Sequence, residues 1–193
     1  MPSSPPDYIA LAARIRALAH AAGFQRVGIS GVELGDDEAF LQSWLDEGLH
    51  GSMAWMASHG DKRSRPAELI PGTLRVVSVG LDYGRDADAA WDNLRDGERA
   101  YVARYALGRD YHKLMRNRLQ KLAERIDGAM GQLQHRAFTD SAPVLEAELA
   151  SRSGQGWRGK HTLVLSRDAG SMFFLGEIFV DMALPPSEPV TAH

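Results

Sequence analysis

Gly154-Gln155-Gly156-Trp157-Arg158-Gly159-Lys160-His161 is the stretch on which the fold class turns. Taken literally, it holds two nucleotide-binding patterns, G-x-G-x-x-G and G-x-x-x-x-G-K. Both fail on context. The dinucleotide pattern follows a strand and opens a helix, so that the helix N-terminus meets a pyrophosphate. Here a helical stretch, Pro143 to Ala150, comes first, and an apolar strand-like run, His161 to Ser166, follows. The phosphate-binding loop also needs Ser or Thr after its Lys to hold Mg²⁺, and His161 stands there. Without a nucleotide-binding unit, the glycines still permit positive φ and close backbone approach to a ligand. Lys160 adds a donor for an anionic or amide-bearing group.

Working outward, helices and strands do not strictly alternate, which predicts a single α+β domain with a mixed sheet flanked by helices. Asp7 is a helix cap, and Tyr8, Leu11, Ala12, Ile15, Leu18, Ala19 and Ala22 follow at helical spacing up to Gly23. Arg26 to Ser30 reads as a strand and Asp36 to Glu47 as a helix. Met53, Trp55 and Met56 read as core packing. Arg63 to Leu69 reads as a short helix and Arg75 to Leu81 as a buried strand. Asp82 to Gly97 is acidic and weakly patterned, and is expected to be a surface loop. Asp110 caps a helix whose apolar stripe is Tyr111, Leu114, Met115, Leu119, Leu122 and Ile126. His135 to Thr139 and Ile178 to Leu184 read as further strands. Residues 1–7 are expected to be disordered, 8–184 to form one domain, and 185–193 to be a mobile tail.

The composition is that of an ordinary globular chain: 193 residues, 44% hydrophobic and 24% charged. No apolar run reaches the ~20 residues that span a bilayer, and the first residues lack a secretory pattern. The expected location is the cytoplasm, with no membrane partner. The absence of cysteine excludes disulfides, thiolate catalysis and cysteine-held clusters within these residues. The seven His show no metal-binding spacing, so no metal site is expected.

The net charge of −3 argues against general nucleic-acid binding, but between Arg95 and Arg125 nine Lys and Arg stand against four acids, about +5 locally. Such a stripe is either a solvated helix face or a phosphate-binding surface. Just before it, Tyr105, Arg109, Tyr111 and His112 mix aromatics with cations, a pairing that suits base stacking and phosphate contacts; Lys113 and Arg116 continue the stripe. Asp140, in Phe138-Thr139-Asp140-Ser141-Ala142-Pro143, lies between a strand and a helix. It reads either as a cap for the Pro143 helix or as a carboxyl among apolar neighbours, its pKa raised so that it donates a proton.

Several segments, taken in order, resemble the epoxyqueuosine reductase family. They are Lys62-Arg63 through Pro66 to Gly72, Val76 to Tyr83, Arg104-Tyr105-Ala106-Leu107-Gly108-Arg109-Asp110-Tyr111-His112, Asp140-Ser141-Ala142-Pro143-Val144-Leu145-Glu146, Gly154 to Lys160, and Gly170-Ser171 through Ile178. The resemblance runs from about Tyr8 to Pro189. It implies a nitroreductase-like, cobalamin-binding scaffold related to reductive dehalogenases. It also implies reduction of epoxyqueuosine to queuosine at the tRNA wobble position. By motif match, Asp140 is the proton donor. Arg63, Asp140, Ser141, Gly159, Lys160, His161, Thr162, Leu175 and Gly176 lie near the corrin. The chain departs from the family pattern at Arg158 and His161, where a small apolar residue and Asn are usual. The family carries two 4Fe-4S clusters on cysteines that this sequence lacks, so the resemblance implies an incomplete catalyst needing an electron donor or a separate iron–sulfur module. The alternatives are a non-catalytic cobalamin- or tRNA-binding fragment and a cobalamin-dependent reductase of another substrate, such as an organohalide.

Overall fold

A computed structural model describes residues 6–84, 87–130 and 133–191. The disorder expected for the first residues therefore falls largely outside the described chain. From Asp7 onward the expectation of a cap holds: its Oδ1 accepts from the backbone N–H groups of Ile9 and Ala10, both at 3.0 Å. The elements in order are α1 (Tyr8–Ala21), β1 (Arg26–Ser30), α2 (Asp36–Asp46), α3 (Pro66–Leu69), β2 (Arg75–Asp82), α4 (Ala87–Arg95), α5 (Tyr111–Met130), β3 (His135–Phe138), α6 (Glu146–Arg152), β4 (Trp157–Arg158), β5 (Val164–Leu165) and β6 (Phe173–Val180). Short 3-10 turns lie at Ala54–Met56, Gly60–Arg63 and Arg104–Ala106.

The α+β class is what forms, but the main sheet is antiparallel at each pairing among the described residues, in the order β1-β2-β6-β3. β4 and β5 make a separate two-stranded hairpin. Side chains alternate across the sheet. Val77, Val79, Ile178 and Val180 face α1 and α5 and join Ile15, Met115, Leu119, Leu122 and Ile126 in the main core. Val76 and Phe179 face the other way, where Leu149 of α6 covers them. The stripe of α5 runs through Met115, not Leu114, which is exposed.

Several boundaries differ from the sequence reading. The supposed loop from Asp82 to Gly97 contains α4, where alanines favour the helix and Trp91 and Leu94 nonetheless stay exposed. α6 starts at Glu146, not at Pro143, because a turn at Ser141–Val144 intervenes and Leu145 takes the cap position. The strand expected from His161 shrinks to Val164–Leu165, since Gly159 to Leu163 form a tight turn with Thr162 at φ 73°. β6 begins at Phe173, earlier than expected, and ends at Val180; Leu184 stays buried without being in a strand. Arg63 to Leu69 is broken by Pro66, which opens α3. Met53 and Trp55 are not core residues: Trp55 is 58% exposed. At the tail, Ser187 is pinned to β1, donating its N–H to Ile29 O at 2.8 Å and accepting at Oγ from Ile29 N.

Candidate active site

The polar residues converge where β3 ends. Thr139 is anchored by its hydroxyl, which donates to Leu175 O of β6 at 2.9 Å. Ser141 N then donates back to Thr139 O at 2.7 Å, closing a three-residue turn with Asp140 at its apex. Asp140 has φ 58°, a left-handed conformation that a non-glycine residue adopts at a cost on the order of 1 kcal/mol. Such strain persists only where surrounding contacts hold it.

Two donors from α5 meet the Asp140 carboxyl. The Tyr111 hydroxyl donates to Oδ2 at 2.5 Å, and His112 Nε2 lies 2.6 Å from the same oxygen. The other ring nitrogen, His112 Nδ1, is 2.9 Å from Asp110 Oδ1. An imidazole between two carboxylates donates at both ends only when doubly protonated. The hydrogen bond to Asp110, with that to Asp140 adding, accordingly raises the His112 pKa. Burial, then the bond to Asp140, pushes the Tyr111 phenol up as well. The Tyr111 ring is held flat against Phe174 of β6, centroids 4.0 Å apart, and Phe174 in turn packs on Tyr83. This stack aims the phenol.

The Asp140 environment therefore differs from the expected apolar pocket. The side chain is 53% exposed and its neighbours are donors. Nor does Asp140 cap a helix at Pro143. The site can present a carboxyl to a bound molecule with the His112 imidazole, its pKa raised, directly behind it.

Sequence reasoning gave no site role to two carboxyls below the turn. Glu146 Oε1 accepts the Asp140 N–H at 2.8 Å. Burial pushes its pKa up to about 7. Glu177, cross-strand from Ser78 and Phe138, is wholly buried and neither carboxylate oxygen has a hydrogen-bond partner among the described residues. Burial, with the Glu146 charge adding, raises its pKa well above the ordinary carboxylate range. The available signal was a lone carboxylate inside the apolar run of β6.

The residues expected near a corrin fall into different places. Gly159, Lys160, His161 and Thr162 form the exposed tip of the β4–β5 hairpin, closed by Gly159 N donating to Leu163 O at 2.9 Å. A Cβ on Gly159 would come within 2.7 Å of the His161 ring. At the hairpin's base Arg158 pairs with the nearly buried Glu148. An open cleft of about 660 Å³ lies alongside, lined by Phe40, Trp44, Met56, Leu145, Arg158 and Thr162. Ser141 is exposed next to Asp140, and Leu175 lines a smaller cavity with Arg158. Arg63 is buried instead, its guanidinium donating to the carbonyls of Met56 and Trp55 and lying over the Trp55 ring. Gly176 sits under α5, where a Cβ would meet Leu119 at 2.8 Å and Met115 at 3.0 Å. Its small size serves helix–sheet packing.

Tyr105, Arg109, Lys113 and Arg116 are all exposed at the N-terminal end of α5, close in sequence to Tyr111 and His112. Arg109, Lys113 and Arg116 have no ion pair among the described residues.

A family model described as epoxyqueuosine reductase QueG, DUF1730, matches residues 63–141. The chain is 68% identical over 189 residues to an epoxyqueuosine reductase of Xanthomonas campestris, covering 97% of this chain and 53% of that protein. It is 60% identical over 182 residues to that of Pseudomonas aeruginosa, covering 94% and 50%. Among solved structures, an epoxyqueuosine reductase with an epoxyqueuosine-modified tRNA-Tyr stem loop matches with a TM-score of 0.79 at 20% identity, over 94% of this chain and 48% of that one. A catabolic reductive dehalogenase matches with 0.60 at 19% identity, over 100% and 23%. The chain spans about half the length of the curated relatives it matches. Across nearly its whole length the chain is thus similar to about half of an epoxyqueuosine reductase, with residues 63–141 matching the family model.

Proposed function

We propose that residues 8–184 form the N-terminal, cobalamin- and substrate-binding part of an epoxyqueuosine reductase, with Asp140 delivering a proton to the departing epoxide oxygen. The observation that carries this reading is the Asp140 carboxyl, raised on a strained turn and backed by the Tyr111 and His112 donors. An alkoxide or hydroxide leaves poorly at neutral pH, so a positioned proton lowers the barrier. Once Asp140 has given up its proton, His112 Nε2 stands 2.6 Å away to hydrogen-bond the carboxylate.

The hairpin tip fits an amide-fringed corrin. It is exposed, strained at Thr162, and offers Lys160 and His161 beside a cleft walled largely by Phe40, Leu41, Trp44, Met56 and Leu145. Gly159, Lys160, His161 and Thr162 would hold the group, with Ser141 and Leu175 flanking it. Arg63 supports it indirectly, by fixing the Trp55–Met56 turn. When bound, cobalamin supplies the reducing electrons at its cobalt. The chain itself places the substrate and holds the proton. Tyr105, Arg109, Lys113 and Arg116 present an aromatic and cationic surface for the tRNA backbone.

This chain has no cysteine. Any 4Fe-4S cluster that supplies the electrons would be held outside these 193 residues. No helix among the described residues is long and apolar enough to cross a membrane, and we place the protein in the cytoplasm with its tRNA.

The test is a visible-spectrum titration with cobalamin, followed by a strong chemical reductant and an epoxyqueuosine-bearing RNA stem loop. Binding at micromolar protein and RNA reduction that requires Asp140 are expected. No binding refutes the cofactor site. Binding of cobalamin and RNA without turnover makes the chain a non-catalytic carrier.

A further inference from the structure

We propose that Glu146 is the positioning residue for Asp140: its carboxyl, set against Glu177 beneath the sheet end, holds the Asp140 N–H and so fixes the strained turn that presents the Asp140 carboxyl. The inference rests on the reading of Asp140 as proton donor.

The turn needs a latch. Asp140 stands at φ 58° and its side chain is half exposed, so little packing holds it. Below it the backbone contacts are two: Ser141 N to Thr139 O, which closes the turn on itself, and Asp140 N to Glu146 Oε1 at 2.8 Å, which ties the turn to α6. Thr139 Oγ1 ties the start of the turn to β6, and Tyr111 and His112 meet its side chain from α5, but of the Asp140 backbone contacts only the second reaches another element. A carboxylate acceptor makes that bond charge-assisted, roughly twice as strong as one to a neutral group.

The groups facing Glu146 set when it is ionised. From β6 comes Glu177, fully buried and without an ion pair among the described residues; from the turn comes Asp140; from α5 come His112 and Tyr111. Burial and the Asp140 charge favour the neutral carboxyl, while the Asp140 N–H and the His112 imidazolium favour the carboxylate. The balance puts the change near neutrality, at about 7. The latch tightens as pH rises through that value. A carboxylate at this position therefore does what a merely space-filling residue could not.

The experiment follows the Asp140 amide resonance by NMR through neutral pH in the 193-residue chain and in its Glu146→Gln, Glu146→Ala and His112→Gln forms. In the parent chain the amide should titrate near pH 7. Glu146→Gln should abolish that titration while leaving amide exchange near the parent rate, because the amide oxygen still accepts. Glu146→Ala should speed exchange of the Asp140 amide about tenfold, the effect of losing one hydrogen bond of ~1.4 kcal/mol. His112→Gln should keep the titration. Persistence of the titration in Glu146→Gln, or its disappearance in His112→Gln, overturns the proposal. If Glu146→Ala does not fold, the other three forms decide. These readouts are independent of turnover: a catalytically competent Asp140→Asn protein would sink the proton-donor reading and leave the latch standing.

Discussion

Glu177 should make this protein less stable as pH rises from about 4.5 toward neutrality, the reverse of what a paired surface carboxylate does. Its carboxyl is fully buried, neither oxygen has a hydrogen-bond partner within normal distance among the described residues, and burial, outweighing the nearby Ser78 hydroxyl, holds its pKa well above the ordinary value. An unfolded Glu titrates near ~4.3. Between that pH and the raised native value, the folded state holds a proton that the unfolded state has lost. The stabilising contribution is complete below the unfolded pKa and is lost as pH climbs to the folded one. The slope is about 1.4 kcal/mol per pH unit for each such proton, so about 3 kcal/mol over two units. Glu146, pushed up to about 7, adds a second contribution of the same sign. His112, whose pKa is raised from 6.5, acts only above about that pH, and the lowered carboxyls of Asp110 and Asp168 act only below about 4. The window from about pH 5 to 6.5 thus isolates the buried Glu177 and the half-buried Glu146. Urea unfolding across it should show a falling stability in the parent chain and about half that slope in Glu177→Gln. Comparing slopes removes any fixed cost of seating an amide in the carboxyl's place. An unchanged slope in Glu177→Gln would refute the claim that the buried carboxyl is neutral in the fold.

Asp140→Asn should keep the turn, since Asn tolerates the left-handed conformation, yet lower turnover of a cobalamin-loaded, chemically reduced enzyme by about 10²–10⁴ with cobalamin affinity unchanged. Neutralising Arg109, Lys113 and Arg116 together should weaken tRNA binding and reduce the salt slope of log K by about 2 to 3, measured by titration at several salt concentrations; an unchanged slope would place the RNA elsewhere. Gly176→Ala should destabilise the fold by about 1–3 kcal/mol in denaturant, because its methyl runs into Leu119 and Met115. The His112 ring should titrate above 6.5 by NMR and drop toward that value in Asp110→Asn, since the Asp110 bond is the largest cause of its shift.

What the sequence made legible was whatever depends on neighbours along the chain. The cap at Asp7, the strand from Arg75 and the stripe of α5 beyond Leu114 are local patterns of period or capping chemistry, and they form where expected. Failures occur where a tertiary partner decides. Pro143 reads as a helix start because proline suits the first turn, but the Asp140 turn claims Ser141 to Val144 first. Trp55 reads as core, yet its ring lies over the Arg63 guanidinium at the surface. Gly176 reads through its motif as a cofactor contact, and only the packed helix above it shows that a methyl there would press on the ends of Leu119 and Met115.

The same distinction runs through the site. Asp140 could be named from its motif, and its neighbours Tyr111 and His112 from a cluster 28 residues upstream. Their joining could not be read, because it depends on β3 and α5 both ending against β6 at Phe174 and Glu177. That joining alters the chemistry. In place of apolar groups Asp140 faces the imidazole of His112, whose other nitrogen meets Asp110 and whose pKa that bond raises. The proton delivery proposed for Asp140 would then involve Asp110 and His112 as well. Removing Asp110, which touches neither Asp140 nor any expected substrate atom, should shift the pH profile of turnover to lower values in a chemically reduced enzyme, while a lone Asp140 donor would leave it unmoved.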